Sequence, residues 1–153
     1  MKLWLLKLLT YNDWANREIL KVLESQTKPL GKIASLFSHL MTTEKMWLAR
    51  LKKEDTSSIR IWPELSSIEW ESLIKSNYKA YHDFITELTD ENLENTISYR
   101  NSKGVQFQTP IQDILTHVFL HAAYHRGQVS AAMRQAGIEP AITDFIYYVR
   151  TRK

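Results

Sequence analysis

Apolar residues recur every three or four positions along most of the chain, which is the spacing of amphipathic α-helices. The pattern predicts four long helices, at residues 3–24, 31–52, about 67–88 and 110–136. Ser66 or Ser67 can cap the start of the third helix, and Gly137 closes the fourth. A short helix is predicted in the tail, through Phe145 and Tyr148.

The pattern changes between the third and fourth helices. Over residues 94–109, apolar and polar positions alternate on either side of a turn that contains Asn101 and Gly104, which predicts a β-hairpin. An isolated hairpin is only marginally stable, so it should lie against the helices. The sequence therefore predicts a single all-α domain over residues 1–153: a four-helix bundle with a small hairpin and a short C-terminal helix.

Composition narrows the class of protein. The 153 residues are 44% hydrophobic and 24% charged with only four glycines and four prolines, as expected of a compact helical domain. The absence of cysteine excludes disulfides, thiolate nucleophiles and iron–sulfur ligation, and it favours a cytoplasmic location. The N-terminal run faintly resembles a signal peptide, but Lys7 interrupts it, so it is interpreted as the first helix.

Charge and hydropathy argue against two kinds of partner. The formal net charge is only +3 and the basic residues are scattered, apart from a small group at Arg150, Arg152 and Lys153. This distribution does not predict a nucleic-acid partner. No run approaches the 18 or so uninterrupted apolar residues that a membrane span requires, so no membrane partner is predicted either.

Three histidines follow one another at four-residue spacing in the fourth helix: His117, His121 and His125. His121 and His125 fall at the edge of the apolar stripe or inside it, with His117 just outside. Two imidazoles one turn apart can both reach one divalent ion. Two interpretations stay open at this point, a pair of satisfied core histidines and a metal site that lacks a third ligand.

The other histidines are less informative about a metal site, and two common metal-binding motifs are absent. His39 lies at the border of the apolar stripe of the second helix, and on spacing alone it is a rim residue; His82 has no partner at ligand spacing and is placed on the surface. The segment from His121 to His125 lacks the glutamate of a HExxH protease. No Glu-x-x-His occurs, which argues against a ferritin-like di-iron site.

The chain resembles the DinB-like family, which includes the related YfiT-like metal-dependent hydrolases and thiol transferases, over essentially its whole length. The resemblance lies in YNDWAN at 11–16, His39-Leu40, EKMW at 44–47, HRGQV at 125–129, and RQxG at 134–137 followed by Pro140 and TDF at 143–145. It implies an up-up-down-down four-helix bundle, a homodimer, and one divalent metal held by His39, His121 and His125. His117 would be a neighbour or an alternate ligand.

The resemblance also implies a chemistry. Zinc or nickel suits three imidazoles best, with iron or manganese as alternatives, and no organic cofactor is predicted. The expected function is a thiol-dependent S-transferase that acts on small electrophiles in stress or detoxification, with a low-molecular-weight thiol as cosubstrate. The alternatives are a metal-dependent hydrolase of small amides or esters, and a non-enzymatic binding protein with a structural or vestigial metal. No catalytic residue is assigned; contacts around the metal or substrate are expected from Asn12, Asn16, Glu44 and Gln128.

Overall fold

Helices dominate the structure, a computed structural model that describes residues 1–101 and 103–152. The long helices are α1 (Lys2–Glu24), α2 (Lys32–Leu51), α3 (Ser67–Glu87) and α4 (Ile111–Gln135), and the short one is α5 (Phe145–Thr151). A 3-10 turn (Asn92–Glu94) and the strands β1 (Thr96–Arg100) and β2 (Gln106–Pro110) lie between α3 and α4. The predicted bundle, hairpin and C-terminal helix are therefore confirmed. Ser102 of the predicted turn and Lys153 of the basic tail lie outside the described residues.

The predicted helix ends have the expected capping contacts. Ser66 and Glu69 form a capping box at the start of α3, in which the Ser66 amide donates to Glu69 Oε2 at 2.7 Å and the Glu69 amide donates to Ser66 Oγ at 3.4 Å. At the end of α4, Gly137 adopts a positive φ of 74° that a side chain would disfavour. This turn lets the Ile138 amide donate to the Met133 carbonyl at 2.9 Å, which ends the helix.

The contacts of α2 with α3 show that these two helices run in the same direction. Trp70 Nε1 donates to Ser38 Oγ at 2.8 Å, and further along both helices the Tyr81 hydroxyl donates to the Glu44 carbonyl at 2.7 Å. Residue numbers therefore rise together in the two helices. The long connection 52–66 makes this possible because it returns along α2, bringing Ile61 beside His39.

The contacts of α2 with α4 show the opposite relationship. Trp47 packs edge-on against His117, while His39, two turns earlier in α2, packs against His125, which comes two turns later in α4. The seven-residue connection between α1 and α2 reverses the chain, so α1 and α4 run one way and α2 and α3 the other. The order is thus up-down-down-up, which corrects the up-up-down-down order that the resemblance implied.

A buried polar layer divides the core of the bundle. Apolar side chains at one end include Phe37 and Met133, and those at the other end include Tyr81 and Leu115, all at most 2% exposed. Along α1, α2 and α3, buried polar side chains lie between these two clusters. The layer consists of Asn12, Asn16, Glu44 and Asn77, completed by Arg126 from α4, and each is at most 4% exposed.

The β-hairpin covers one end of the bundle. Its strands pair antiparallel with Tyr99 opposite Phe107, and Ile97 is only 5% exposed because it packs into the core. The Ile111 amide at the start of α4 donates to the Asn95 carbonyl at 2.9 Å, which ties the hairpin to that helix. Within the described residues, no helix is long and apolar enough to cross a bilayer.

Candidate metal centre

The structure brings together the three histidines that the resemblance pointed to. His39 comes from the middle of α2, and His121 and His125 lie one turn apart on α4. One ring nitrogen from each lies within 4.8 Å of the others. A tetrahedral ion with bonds of 2.0–2.1 Å needs its ligand nitrogens roughly 3.3 Å apart, so small side-chain rotations would close the site. His39 is 6% exposed and His125 8% exposed, so His39 is a buried residue and not the rim residue that spacing predicts.

The ring of His39 is oriented by the connection between α2 and α3. Its Nδ1 bonds to the Ile61 carbonyl, and since a carbonyl only accepts, Nδ1 carries the proton. The lone pair is therefore on Nε2. Trp62, the next residue, stacks on the same ring with centroids 3.8 Å apart and planes 9° apart. A fixed proton on one nitrogen and a free lone pair on the other is the arrangement that metal-binding histidines show.

The two α4 histidines meet through their Nε2 atoms. These atoms lie 3.1 Å apart. The Nδ1 of His125 is buried without a hydrogen-bond partner in the described part of the chain, while the nearby Gln128 side chain raises the pKa of His125 against the effect of burial. Both features indicate ring nitrogens that the protein alone satisfies poorly, and a bound cation would use their lone pairs.

The electrostatics keep all three rings neutral. Burial lowers the pKa of His39, His121 and His125, and mutual repulsion adds to this for the two α4 residues. The effect is largest for His121, where burial and the neighbouring histidines lower the pKa to about 4. Neutral imidazole is the form that binds a metal, so this donor set fits a divalent ion without first losing protons at neutral pH.

His117 borders the cluster without joining it. Its ring centroid lies 5.3 Å from that of His121 and 4.9 Å from that of Trp47, and the residue is exposed. Its position just outside the apolar stripe is as predicted. His82 is also exposed, as predicted, and lies on α3 away from the cluster.

The asparagines and the glutamate expected near the site bond to one another instead. Glu44 Oε1 accepts from Asn12 Nδ2 at 2.8 Å and from Asn16 Nδ2 at 3.0 Å, and Asn77 Nδ2 donates to Glu44 Oε2 at 3.3 Å. Arg126 Nη1 donates to the amide oxygens of both α1 asparagines. None of these bonds involves a histidine, so within the described part of the chain Asn12, Asn16 and Glu44 do not orient a candidate ligand through a hydrogen bond. Their contacts with a substrate stay a prediction.

The sequence analysis did not identify three residues of this region: Ile61 and Trp62, which contact His39, and Arg126, which belongs to the buried polar layer. Ile61 and Trp62 lie in the 52–66 connection, which has no periodic hydrophobic pattern. The Trp62-Pro63 pair is the sequence signal in this loop that could have drawn attention to it. Arg126 directly follows a candidate ligand, and an arginine in a core position is a signal that some acidic or amide partner must be buried with it.

Comparison with known proteins extends these observations. The family model described as "DinB family" matches residues 1–152. The chain belongs to the DinB family. Protein DinB of Bacillus subtilis (strain 168) is 28% identical to it over 166 aligned positions, which cover 94% of this chain and 92% of that protein. A DinB-like protein from Bacillus cereus ATCC 10987, known from a crystal structure, has the same fold: the TM-score is 0.56 at 22% identity, covering 87% of this chain and 91% of that one.

Membership of the DinB family agrees with a three-histidine site but does not identify the metal. The nitrogens of His39, His121 and His125 are the group in the described chain that could hold an ion. Ligation by these residues stays a prediction, and its chemistry follows from the donor set. All-imidazole coordination carries no ligand charge, so an ion bound there would keep its full positive charge.

Proposed function

We propose that this DinB-family chain is a divalent-metal-dependent enzyme that transfers a low-molecular-weight thiol to small electrophiles. The observation that carries the proposal is the convergence of three neutral imidazoles from two helices. Three protein ligands leave at least one coordination position for a reactant, as in catalytic sites, whereas structural sites are closed by four. Zinc or nickel is the proposed metal, with iron and manganese as alternatives.

The chain's own residues define the rest of the chemistry. A bound divalent ion would supply a positive charge that favours the thiolate form of a cosubstrate. Because the protein has no cysteine, the thiol must come from outside. In the transfer, the sulfur forms a bond to the electrophilic carbon, the carbon–leaving-group bond breaks with its electron pair, and the thiol proton passes to solvent. His39, held by Ile61 and Trp62, fixes one side of the site during this step.

The experiment is metal analysis followed by conjugation assays. Protein purified without chelator and without an affinity tag that binds metal is measured for zinc, nickel, iron and manganese beside His125→Ala. The matched control is His82→Ala, which removes an exposed histidine outside the cluster. We expect about one ion per chain in the native protein and the control, and little in His125→Ala. Equal metal in all three would overturn the metal site.

The loaded protein is then given a panel of small thiols with 1-chloro-2,4-dinitrobenzene, and p-nitrophenyl esters without thiol. Conjugation that depends on both thiol and metal supports the transferase. Ester hydrolysis without thiol would replace it with the hydrolase, and neither activity at full metal loading would overturn an enzymatic role. The homodimer, the cytoplasmic location and the role in stress stay predictions.

A further inference from the structure

A half-buried arginine that forms no ion pair within the described part of the chain lies beyond His117 and Trp47, as seen from the histidine cluster. The guanidinium carbon of Arg50, in the last turn of α2, lies 4.6 Å from the centroid of the Trp47 ring and 5.1 Å from that of Tyr99. The two rings are themselves packed edge to face, with centroids 5.2 Å apart. Cation–π contacts with both rings hold the guanidinium in one place.

The N–H groups of Arg50 are poorly satisfied by hydrogen bonds. Its Nε is buried and has no hydrogen-bond partner, and Nη2 makes a single long bond of 3.3 Å to the Arg100 carbonyl. Among the described residues, no carboxylate lies within ion-pair distance of it, including Asp113, which sits one turn before His117 on α4. Buried donors are normally satisfied, so the unpartnered Nε needs an explanation. Because Nε is itself buried, a ligand would contact the outer edge of the guanidinium, at Nη1 and Nη2.

Aromatic contacts connect this arginine to the histidine cluster. From the candidate ligand His121, the successive separations are 5.3 Å to the His117 ring, 4.9 Å on to the Trp47 ring, and 4.6 Å to the Arg50 guanidinium. His117 is exposed and Trp47 half-buried. The side chains between the cluster and Arg50 are therefore aromatic, and the guanidinium lies at the far end of this row.

We propose that Arg50 binds the carboxylate of a small substrate whose other end reaches the three-histidine cluster. A guanidinium presents two parallel N–H donors that match the two oxygens of a carboxylate, and one unit of positive charge matches a monoanion. The Trp47 ring and His117 contact the connecting part of the molecule. The inference rests on the proposed function, because it names the class of compound that the metal enzyme takes.

The first test measures thiol binding by the cobalt-loaded protein. The thiolate-to-cobalt absorption band reports binding of 3-mercaptopropionate, 6-mercaptohexanoate and 11-mercaptoundecanoate, each compared with the mercapto-alcohol of the same length. We expect one chain length at which the acid binds about tenfold more tightly than the alcohol, since charge-assisted bonds to a fixed guanidinium are the stronger kind. In Arg50→Met that preference disappears while the affinity for the alcohol is unchanged.

The matched control is Arg100→Met, which removes the same charge from a neighbouring exposed arginine whose side chain bonds to the Gly104 carbonyl. It should keep the preference. Arg50→Lys, which keeps the charge but loses the paired donors, should keep only part of it. A thermal melt of each variant establishes that the fold is retained. No preference in the native protein, or an equal preference in Arg50→Met, would overturn the inference.

A second test needs no metal. In the metal-free protein, the nuclear magnetic resonance signal of the Arg50 Nε–H is followed while hexanoate or hexanol is added. A change in the chemical shift of this signal with hexanoate but not with hexanol supports the inference. No change with either compound overturns it. If cobalt does not bind, the proposed function fails and this titration alone decides the role of Arg50. If cobalt and thiols bind without a carboxylate preference, only the inference fails.

Discussion

The Nε2 atoms of His121 and His125 lie 3.1 Å apart, one helical turn from each other on α4. At that distance two N–H groups would repel each other, so at most one of the two nitrogens carries a proton. With an ion, both lone pairs point to the same place. The two candidate ligands on α4 are therefore positioned by the helix itself, with no loop to be ordered. The third, His39, is brought to them by the packing of α2 against α4.

The first prediction concerns His125, the more buried of the two candidate ligands on α4. His125→Ala should weaken zinc binding more than about 100-fold, since even residues that merely orient a ligand cost 10–100-fold when changed. Competition titration with a chromogenic chelator measures the affinity. His82→Ala, an equivalent change at an exposed position, should bind as the native protein does. Unchanged affinity in His125→Ala would contradict the assignment.

Local sequence pattern accounts for much of this site, but only within one helix. The spacing of His121 and His125 places them on one face because the helical period is fixed. The partnership with His39 depends on how α2 packs on α4, which no local period encodes, and only family resemblance brought it in. The up-up-down-down order that the resemblance implied is wrong about α2 and α3, which run in the same direction. The reason is similar: the path of the 52–66 connection depends on tertiary contacts such as the bond between Ile61 and His39.

The second prediction concerns pH and the metal-free protein. The pKa values of His39, His121 and His125 lie below the ordinary 6.5 in the folded state, that of His121 at about 4. Below pH 6.5 the unfolded chain takes up protons that the folded chain does not, so their contribution to stability is complete above pH 6.5 and is lost as pH falls toward 4. The urea midpoint should decline over that range.

The control for this pH effect is His121→Gln, which removes the residue with the largest shift. Its urea midpoint should decline less steeply between pH 6.5 and pH 4 than that of the native chain, because one source of the linkage is gone. Identical slopes in the two proteins would show that the buried histidines do not govern the pH dependence of folding.

The third prediction separates a catalytic from a structural metal. The apolar clusters on either side of the polar layer do not include the three candidate ligands, so chelation should leave the helical content unchanged. At a free zinc concentration of 100 times Kd, binding adds about 2.7 kcal/mol to the free energy of unfolding. Circular dichroism and thermal melts with and without chelator measure both. Loss of helicity on chelation would instead indicate a structural site.

The fourth prediction concerns the buried polar layer. Glu44→Ala removes the acceptor that Asn12 and Asn16 share and also removes the carboxyl group whose charge favours the buried Arg126 cation. The loss should cost about 3–5 kcal/mol, as for removal of one partner of a buried charge pair. Glu44→Gln keeps an acceptor oxygen of the same shape and should cost less. Glu87→Ala, at the exposed end of α3, should lie within about 0.5 kcal/mol of native. Urea unfolding compares the four proteins, and equal stability of Glu44→Ala and Glu87→Ala would contradict the role of the layer.

The fifth prediction tests whether Trp62, whose indole stacks on the ring of His39, orients that candidate ligand. Trp62 is 54% exposed, so its removal should cost little stability, yet it covers the ring of His39. Trp62→Ala frees that ring to rotate and should lower zinc affinity about 10-fold, the effect expected of a residue that orients a ligand. Trp62→Phe keeps an aromatic face and should recover most of the affinity. Because the Ile61 carbonyl also holds His39, an Ala variant that binds zinc as tightly as the native protein would assign the orientation to that bond alone.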